Sequence, residues 1–421
     1  MFQSTELFTA AIGLIEPWYV KEIKFNPGEK RLDLYVDFKK GSKFRYEGRD
    51  EEKKVITEEF KVHDTKKKIW RHLNFFEHEC YLHCRVPRIR LENGKVKLID
   101  PPFAGLSNGF TQLFEALSLQ LCKSMTVAET SRLVNESEHK LWEMIDRYIS
   151  AGREIENYED VSSLGVDETS KAKGHDYISL FVDIKKRKVI FITKGKDHKT
   201  VKRFIVNFKN HKGDIEKIRE VCCDLSPAFI KGITENIPDA EITFDKFHVL
   251  KIINTAVDQV RREEAKTQSI LKYSRYVVLK NRKNLTKQQA AKLEELQLSK
   301  LNLKTMRAMQ IRESFQYIYK ADTEEEFKIL LKKWYFWATH SRIPTMIKVA
   351  RSIRSHQAGI LRWYESRISN GLLEGINSIV QSAKSKARGY RTFRNFKNII
   401  YLLKGDLNFS FINSSYPLYF T

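Results

Sequence analysis

The pattern of apolar residues between Val161 and Phe244 constrains this chain more than any other feature. Short runs rich in branched and aromatic residues, Val161 to Glu168, Tyr177 to Ile184 and Lys188 to Thr193, are separated by polar connections at Lys171 to Asp176 and Lys185 to Arg187. Runs of this kind are strands, and such short connections suit an antiparallel meander. Then the period changes. Val201, Phe204, Ile205 and Phe208 recur at helical spacing, and Ile218 to Asp224 is strand-like again. Ser226-Pro227 opens a helix as N-cap and first-turn proline, and Ile242 to Asp245 is a further strand.

Three antiparallel strands, helix, strand, helix, strand is the order of an RNase H-like core, in which the first and fourth strands lie side by side. The flanking sequence adds other units, as a length of 421 residues requires. Leu32 to Phe38 alternates apolar and polar, and the stretch to Lys68 is dense in charge, which gives a small strand-rich module over residues 1–100. Residues 101–155 read as a helix-turn-helix: Thr126 to Glu129 is a capping box, and Ser137 starts a second helix running to Tyr148. Residues 156–250 form the first part of the core. Residues 251–355 are helical, with capping boxes at Thr286 to Gln289 and Asp322 to Glu325, and make an all-helical insertion. The apolar stripe Phe327, Leu330, Leu331, Trp334 and Trp337 reads as its core seam. Residues 356–421 return to the core.

Asp167 lies on the first strand of the core and Asp224 ends the fourth. Two carboxylates meeting there repel each other and call for a cation. A third sits on the helix starting near Asn370, where Glu374, Asn377, Gln381, Lys384 and Arg388 share one face and Leu373, Ile376 and Val380 the opposite one. No acid follows Glu374 until Asp406, while Lys384, Lys386, Arg388, Arg391 and Arg394 accumulate, so Glu374 stands as a metal ligand at the head of a phosphate track. Lys140, on the second helix of the helix-turn-helix, joins the residues expected to touch DNA. Oxygen-only ligands suit two Mg²⁺ or Mn²⁺ ions. Glu168 should face away from Asp167, and Asp245 and His248 either cap the following helix or support the metals, with Asn377 as a further supporting group. Cys80 and Cys84, near His78 and His83, form one cluster without a second ligand pair, so zinc is not expected.

The formal net charge of +22 favours a polyanionic partner, with double-stranded DNA first among candidates. No run reaches the roughly 18 apolar residues of a membrane span, and Leu7 to Val20 is broken by Glu16 and Pro17. A cytoplasmic protein is the expectation.

The stretches Trp70 to Leu73, Val86 to Arg88, Phe110-Thr111, Phe114-Glu115, Val166 to Glu168, Lys173 to His175, Asp224 to Ser226, Asp245 to Val249 and Asn370 to Asn377 resemble the ISL-three family of bacterial insertion-sequence transposases. The resemblance implies an Asp-Asp-Glu transposase that binds terminal inverted repeats, cuts and joins DNA with divalent metal, and works as a homodimer or larger synaptic assembly. Its three acids correspond to Asp167, Asp224 and Glu374. Similar proteins carry Cys-x-x-Cys pairs near Phe44 to Gly48 and Arg90 to Gly94, and this chain has none there, so the N-terminal module resembles a zinc ribbon that has lost its cysteines. The alternative is a domesticated transposase acting as a DNA-binding regulator without catalysis.

Overall fold

The computed structural model describes residues 4–49, 55–107, 109–172, 176–299, 301–366 and 371–409. Lys173, Gly174, His175 and Asn370 lie outside them. The chain divides into two compact units, residues 1–156 with 394–421 and residues 157–393. No helix among the described residues is long and apolar enough to cross a membrane.

The first unit begins with α1 (Ser4–Ala11) and six strands: β1 (Trp18–Asn26), β2 (Arg31–Phe38), β3 (Lys43–Arg49), β4 (Val55–Phe75), β5 (His78–Arg90) and β6 (Val96–Leu98). They form one sheet in the order β1-β2-β5-β4-β3, with β6 on β5. Period-2 alternation puts Leu32, Leu34 and Val36 of β2 and Cys80, Leu82 and Cys84 of β5 into one buried cluster with Trp18, Phe38, Phe44 and Trp70. Burial pushes the thiols of Cys80 and Cys84 up to about 12, so both behave as small apolar side chains there.

Three helices follow: α2 (Gln112–Ser124), α3 (Val127–Val134) and α4 (Glu138–Glu154). Thr126 and Glu129 form the reciprocal capping box, Asn135 ends α3 in the left-handed region at φ 51°, and Ser137 caps α4. The second helix therefore runs six residues beyond Tyr148. Glu115 of α2 is fully buried. Its carboxylate accepts from the Leu106 and Ser107 N–H groups and from Tyr148 Oη at 2.7–2.8 Å, which binds the preceding loop and α4 to one point. Burial raises the Glu115 carboxyl to about 7 against those hydrogen bonds.

The second unit carries β7 (Ser163–Ala172), β8 (Asp176–Asp183), β9 (Lys188–Lys194), α5 (Lys199–Asn210), β10 (Glu220–Cys223), α6 (Pro227–Asn236), β11 (Glu241–Phe244) and α7 (Lys246–Glu264). Its sheet runs β11-β10-β7-β8-β9, antiparallel through β7, β8 and β9 and parallel through β7, β10 and β11. One face is covered by α5, whose Phe204 stacks on Phe181 of β8 at 4.5 Å. A helical block then comprises α8 (Arg275–Leu279), α9 (Lys287–Leu298), α10 (Lys304–Ile318), α11 (Glu324–Thr339), α12 (Pro344–Ser355) and α13 (Gln357–Ser366). Thr286 and Gln289 form the expected capping box, whereas α11 is capped by Thr323, one residue later than the spacing suggests. Phe327, Leu331 and Trp334 are buried, and the Trp334 indole donates to Ile311 O at 2.8 Å; Trp337 is exposed. The block is a packed core held by polar anchors.

The chain returns to the sheet with α14 (Gly371–Lys386), and α15 (Phe393–Lys404) ends the described helices, packing in the first unit. There Arg394 makes a two-pronged ion pair with Asp146 of α4, and Asn398 Nδ2 donates to the same carboxylate at 2.8 Å.

Along β7, alternate residues meet successive turns of α14. Leu373 lies against Gly165, Asn377 bonds Asp167 and Gln381 bonds Thr169. Four helical residues rise about 6 Å and two strand residues about 6.6 Å, so the two elements stay in step. Gly165 permits the approach, because a Cβ there would sit 2.7 Å from Leu373 Cδ2. Gly165→Ala should therefore lift α14 and destabilise the second unit by about 1–3 kcal/mol, as overpacking does. Urea denaturation measures this; an unchanged midpoint would mean the Leu373 side chain swings aside at no cost.

Candidate active site

Asp167 sits mid-strand on β7 and is 5% exposed. Its Oδ1 accepts from the Glu168 N–H at 2.7 Å, and its Oδ2 accepts from Asn377 Nδ2 of α14. Asp224 follows β10, and its Oδ1 accepts from Ser226 N at 3.0 Å, so it forms the turn into α6 that the Ser226 side chain does not cap. Asp245, 1% exposed, caps α7 by accepting from Phe247 N and His248 N at 3.0 and 3.2 Å. The parallel alignment of β7, β10 and β11 brings the three aspartates to the same end of the sheet.

Their electrostatics are coupled. Burial raises the Asp167 carboxyl to about 6, and Asp224 and Asp245 add to the rise while the Glu168 N–H and His248 oppose it. Asp224 is raised as well, first by burial, against the Ser226 N–H, His248, Lys251 and Lys196. His248 Nδ1 lies 2.6 Å from Asp245 Oδ2, placed as an ion pair rather than a straight hydrogen bond. This partner lifts the imidazole above its ordinary range, with Asp167 and Asp224 contributing and burial opposing.

Glu374 is exposed on α14, one helical turn before Asn377. Asn377 therefore connects the helix of Glu374 to Asp167, and its Oδ1 is buried without a hydrogen-bond partner. Among the described residues no three acid, histidine or cysteine side chains already close on one point at metal-holding range. The donors nonetheless fit a hard divalent cation: carboxylate oxygens whose ionisation is resisted by burial, and a spare amide oxygen beside them. Glu168 turns to Lys196 at 3.6 Å, away from its neighbour as strand alternation requires.

The basic residues fare differently. Lys384 Nζ donates to Ser170 O at 2.7 Å, Lys140 pairs with Glu136 at 2.9 Å, and Arg394 is held by Asp146. Arg388 lies in the turn after α14 with φ 53°, and Lys386 and Arg391 are exposed. A polar stripe on α7 escaped the sequence reading, although its i, i+3, i+4 spacing is plain: His248, Lys251, Thr255 and Gln259 line a cavity of about 500 Å³ beside Asp224, closed by Thr345, Lys348 and Ser352 of α12.

A family model described as a transposase matches residues 164–400, and a model for the helix-turn-helix domain of transposase family ISL3 matches residues 100–149. The transposase for insertion sequence element IS1001 of Bordetella parapertussis is 28% identical over 341 residues, covering 78% of this chain and 82% of that protein. The transposase for insertion sequence element IS1557 of Mycobacterium tuberculosis is 24% identical over 359 residues, covering 77% and 78%.

At neutral pH the ionised Asp167 weighs against folding. Its carboxyl stands at about 6 against an ordinary 3.8, so the folded state holds the proton more tightly and stability falls as pH rises from about 4 to 6. Asp167→Asn should remove that fall and stabilise the second unit by about 1–3 kcal/mol at pH 7 without added metal. Denaturation followed across this pH range is the check, and a variant as pH-sensitive as the parent would contradict it.

Proposed function

We infer, since the chain belongs to transposase family ISL3 and is a DNA transposase with a helix-turn-helix DNA-binding domain, that Asp167, Asp224 and Glu374 hold the divalent ions with which it cuts and joins DNA. The observation that carries this reading is the Asn377–Asp167 hydrogen bond, which joins the helix bearing Glu374 to the strand bearing the first aspartate. The sheet order β11-β10-β7-β8-β9, with α14 returning against β7, supports an RNase H-like core interrupted by a helical insertion after residue 250.

Two Mg²⁺ or Mn²⁺ ions, when bound, supply activation of a water or 3′ hydroxyl and stabilisation of the leaving oxygen. The protein's own groups prepare that site. Asn377 fixes one oxygen of Asp167, the Ser226 N–H orients Asp224, and Asp245 with His248 holds the start of α7 against them. Lys251 and Lys348 line the cavity beside Asp224 and bind phosphates of the strand being cut. Strand transfer needs two element ends together, which favours a homodimer or larger assembly. The names of the relatives suggest that the DNA is the end of an insertion sequence.

Incubation of the protein with Mg²⁺ and labelled DNA carrying the sequences that flank its gene should yield cut ends and joined products. Asp224→Asn and Glu374→Gln should each abolish both while leaving end binding intact. Specific binding without strand breakage by the parent protein would favour a regulator instead. Lys251→Ala with Lys348→Ala should reduce the salt dependence of duplex binding by about 0.9 per lost phosphate contact. An unaltered slope would place the DNA elsewhere.

A further inference from the structure

The first turns of α7 separate two cavities. His248 and Lys251 face the one beside Asp224, while Lys246, Phe247 and Leu250, on other faces of the helix, line a second of about 500 Å³. The second is closed by residues 281–283 and the end of α10, and α7 stands between it and the first.

Its lining is aromatic and cationic. Phe247 and Tyr317 are 47% and 62% exposed, which leaves two ring surfaces to water at its margin. Glu313, the acid of this lining among the described residues, is occupied by a two-pronged pair with Arg282 at 3.1 Å and by Arg312 at 3.6 Å. Lys283 and Lys320 are exposed, and among the described residues no carboxylate lies within ion-pair distance of Lys246, Lys283 or Lys320. The ammonium groups of Lys246 and Lys320 lie over aromatic rings instead, Lys320 at 4.7 Å from the Tyr317 centroid. A ligand that satisfies this lining combines an anionic group with a flat aromatic one, and a nucleotide does both.

We propose that this cavity binds one unpaired nucleotide of single-stranded DNA, with its base on Phe247 and Tyr317 and its phosphate on Lys283 and Lys320. The inference rests on the chain being a DNA transposase and is independent of the chemistry assigned to its acids. The strand leaving the first cavity has only the thickness of α7 to cross before reaching the second.

The test is fluorescence anisotropy of a labelled oligothymidylate with the full chain in chelator, so that cleavage plays no part and a failure here leaves the metal-site reading standing. Phe247→Ala with Tyr317→Ala should weaken single-strand binding at least about five-fold at an unchanged salt slope. Lys283→Ala with Lys320→Ala should lower the slope by about 0.7 per lost contact. Duplex binding should hold in both. Phe247→Trp, which keeps a stacking surface, should retain affinity and show indole quenching on addition of oligothymidylate. Full single-strand affinity in the alanine pair, equal loss of duplex binding, absent quenching, or equal competition by polyglutamate would each overturn the proposal.

Discussion

Burial of Asp167 beside Asp224 and Asp245 is the constraint on which the second unit's site depends. Parallel pairing of β7, β10 and β11 delivers the three carboxylates to one end of a buried sheet, where burial first, and then Asp224 and Asp245, resist the ionisation of Asp167. The surroundings are arranged around that conflict. His248 supplies positive charge from the first turn of α7, Lys196 and Lys251 face Asp224, and backbone N–H groups at Glu168, Ser226 and Phe247 each satisfy one oxygen. A metal ion would replace this partial compensation with a full one, and a site whose strain a ligand relieves gains stability when loaded.

Much of this layout was legible in the sequence because it rests on local rules. Branched runs mark β7 to β11, Ser226-Pro227 marks α6, and the Thr126 to Glu129 box marks α3, since strand periodicity and capping act over a few residues. The errors at element ends share that origin. Asp322 and Thr323 are both good caps, and the choice falls to Thr323, whose hydroxyl accepts from Glu326 N.

Long-range partners were not legible. Glu374 and Asn377 could be assigned to one helical face, but nothing nearby in sequence tells Asn377 to bond a carboxylate 210 positions away. Arg394 belongs to the run read as a phosphate track, and nothing in that run announces that the fold sets Asp146 against it, across 248 positions. Composition counts charges, while only tertiary structure pairs them. The α7 stripe of His248, Lys251, Thr255 and Gln259 was readable as a polar face, yet its meaning depends on α12 lying opposite.

That same Arg394–Asp146 pair carries a consequence for how the protein is made. The first unit is discontinuous: α15, which clamps α4, is encoded after the whole second unit. During synthesis the helix-turn-helix emerges early but waits for its clamp until α15 leaves the ribosome, a delay on the order of ten seconds or more at about 5–20 residues per second. A nascent chain thus carries α4 with Asp146 unpaired to α15 while the second unit is being built. A truncated product ending before α15 would lack the Arg394–Asp146 pair altogether.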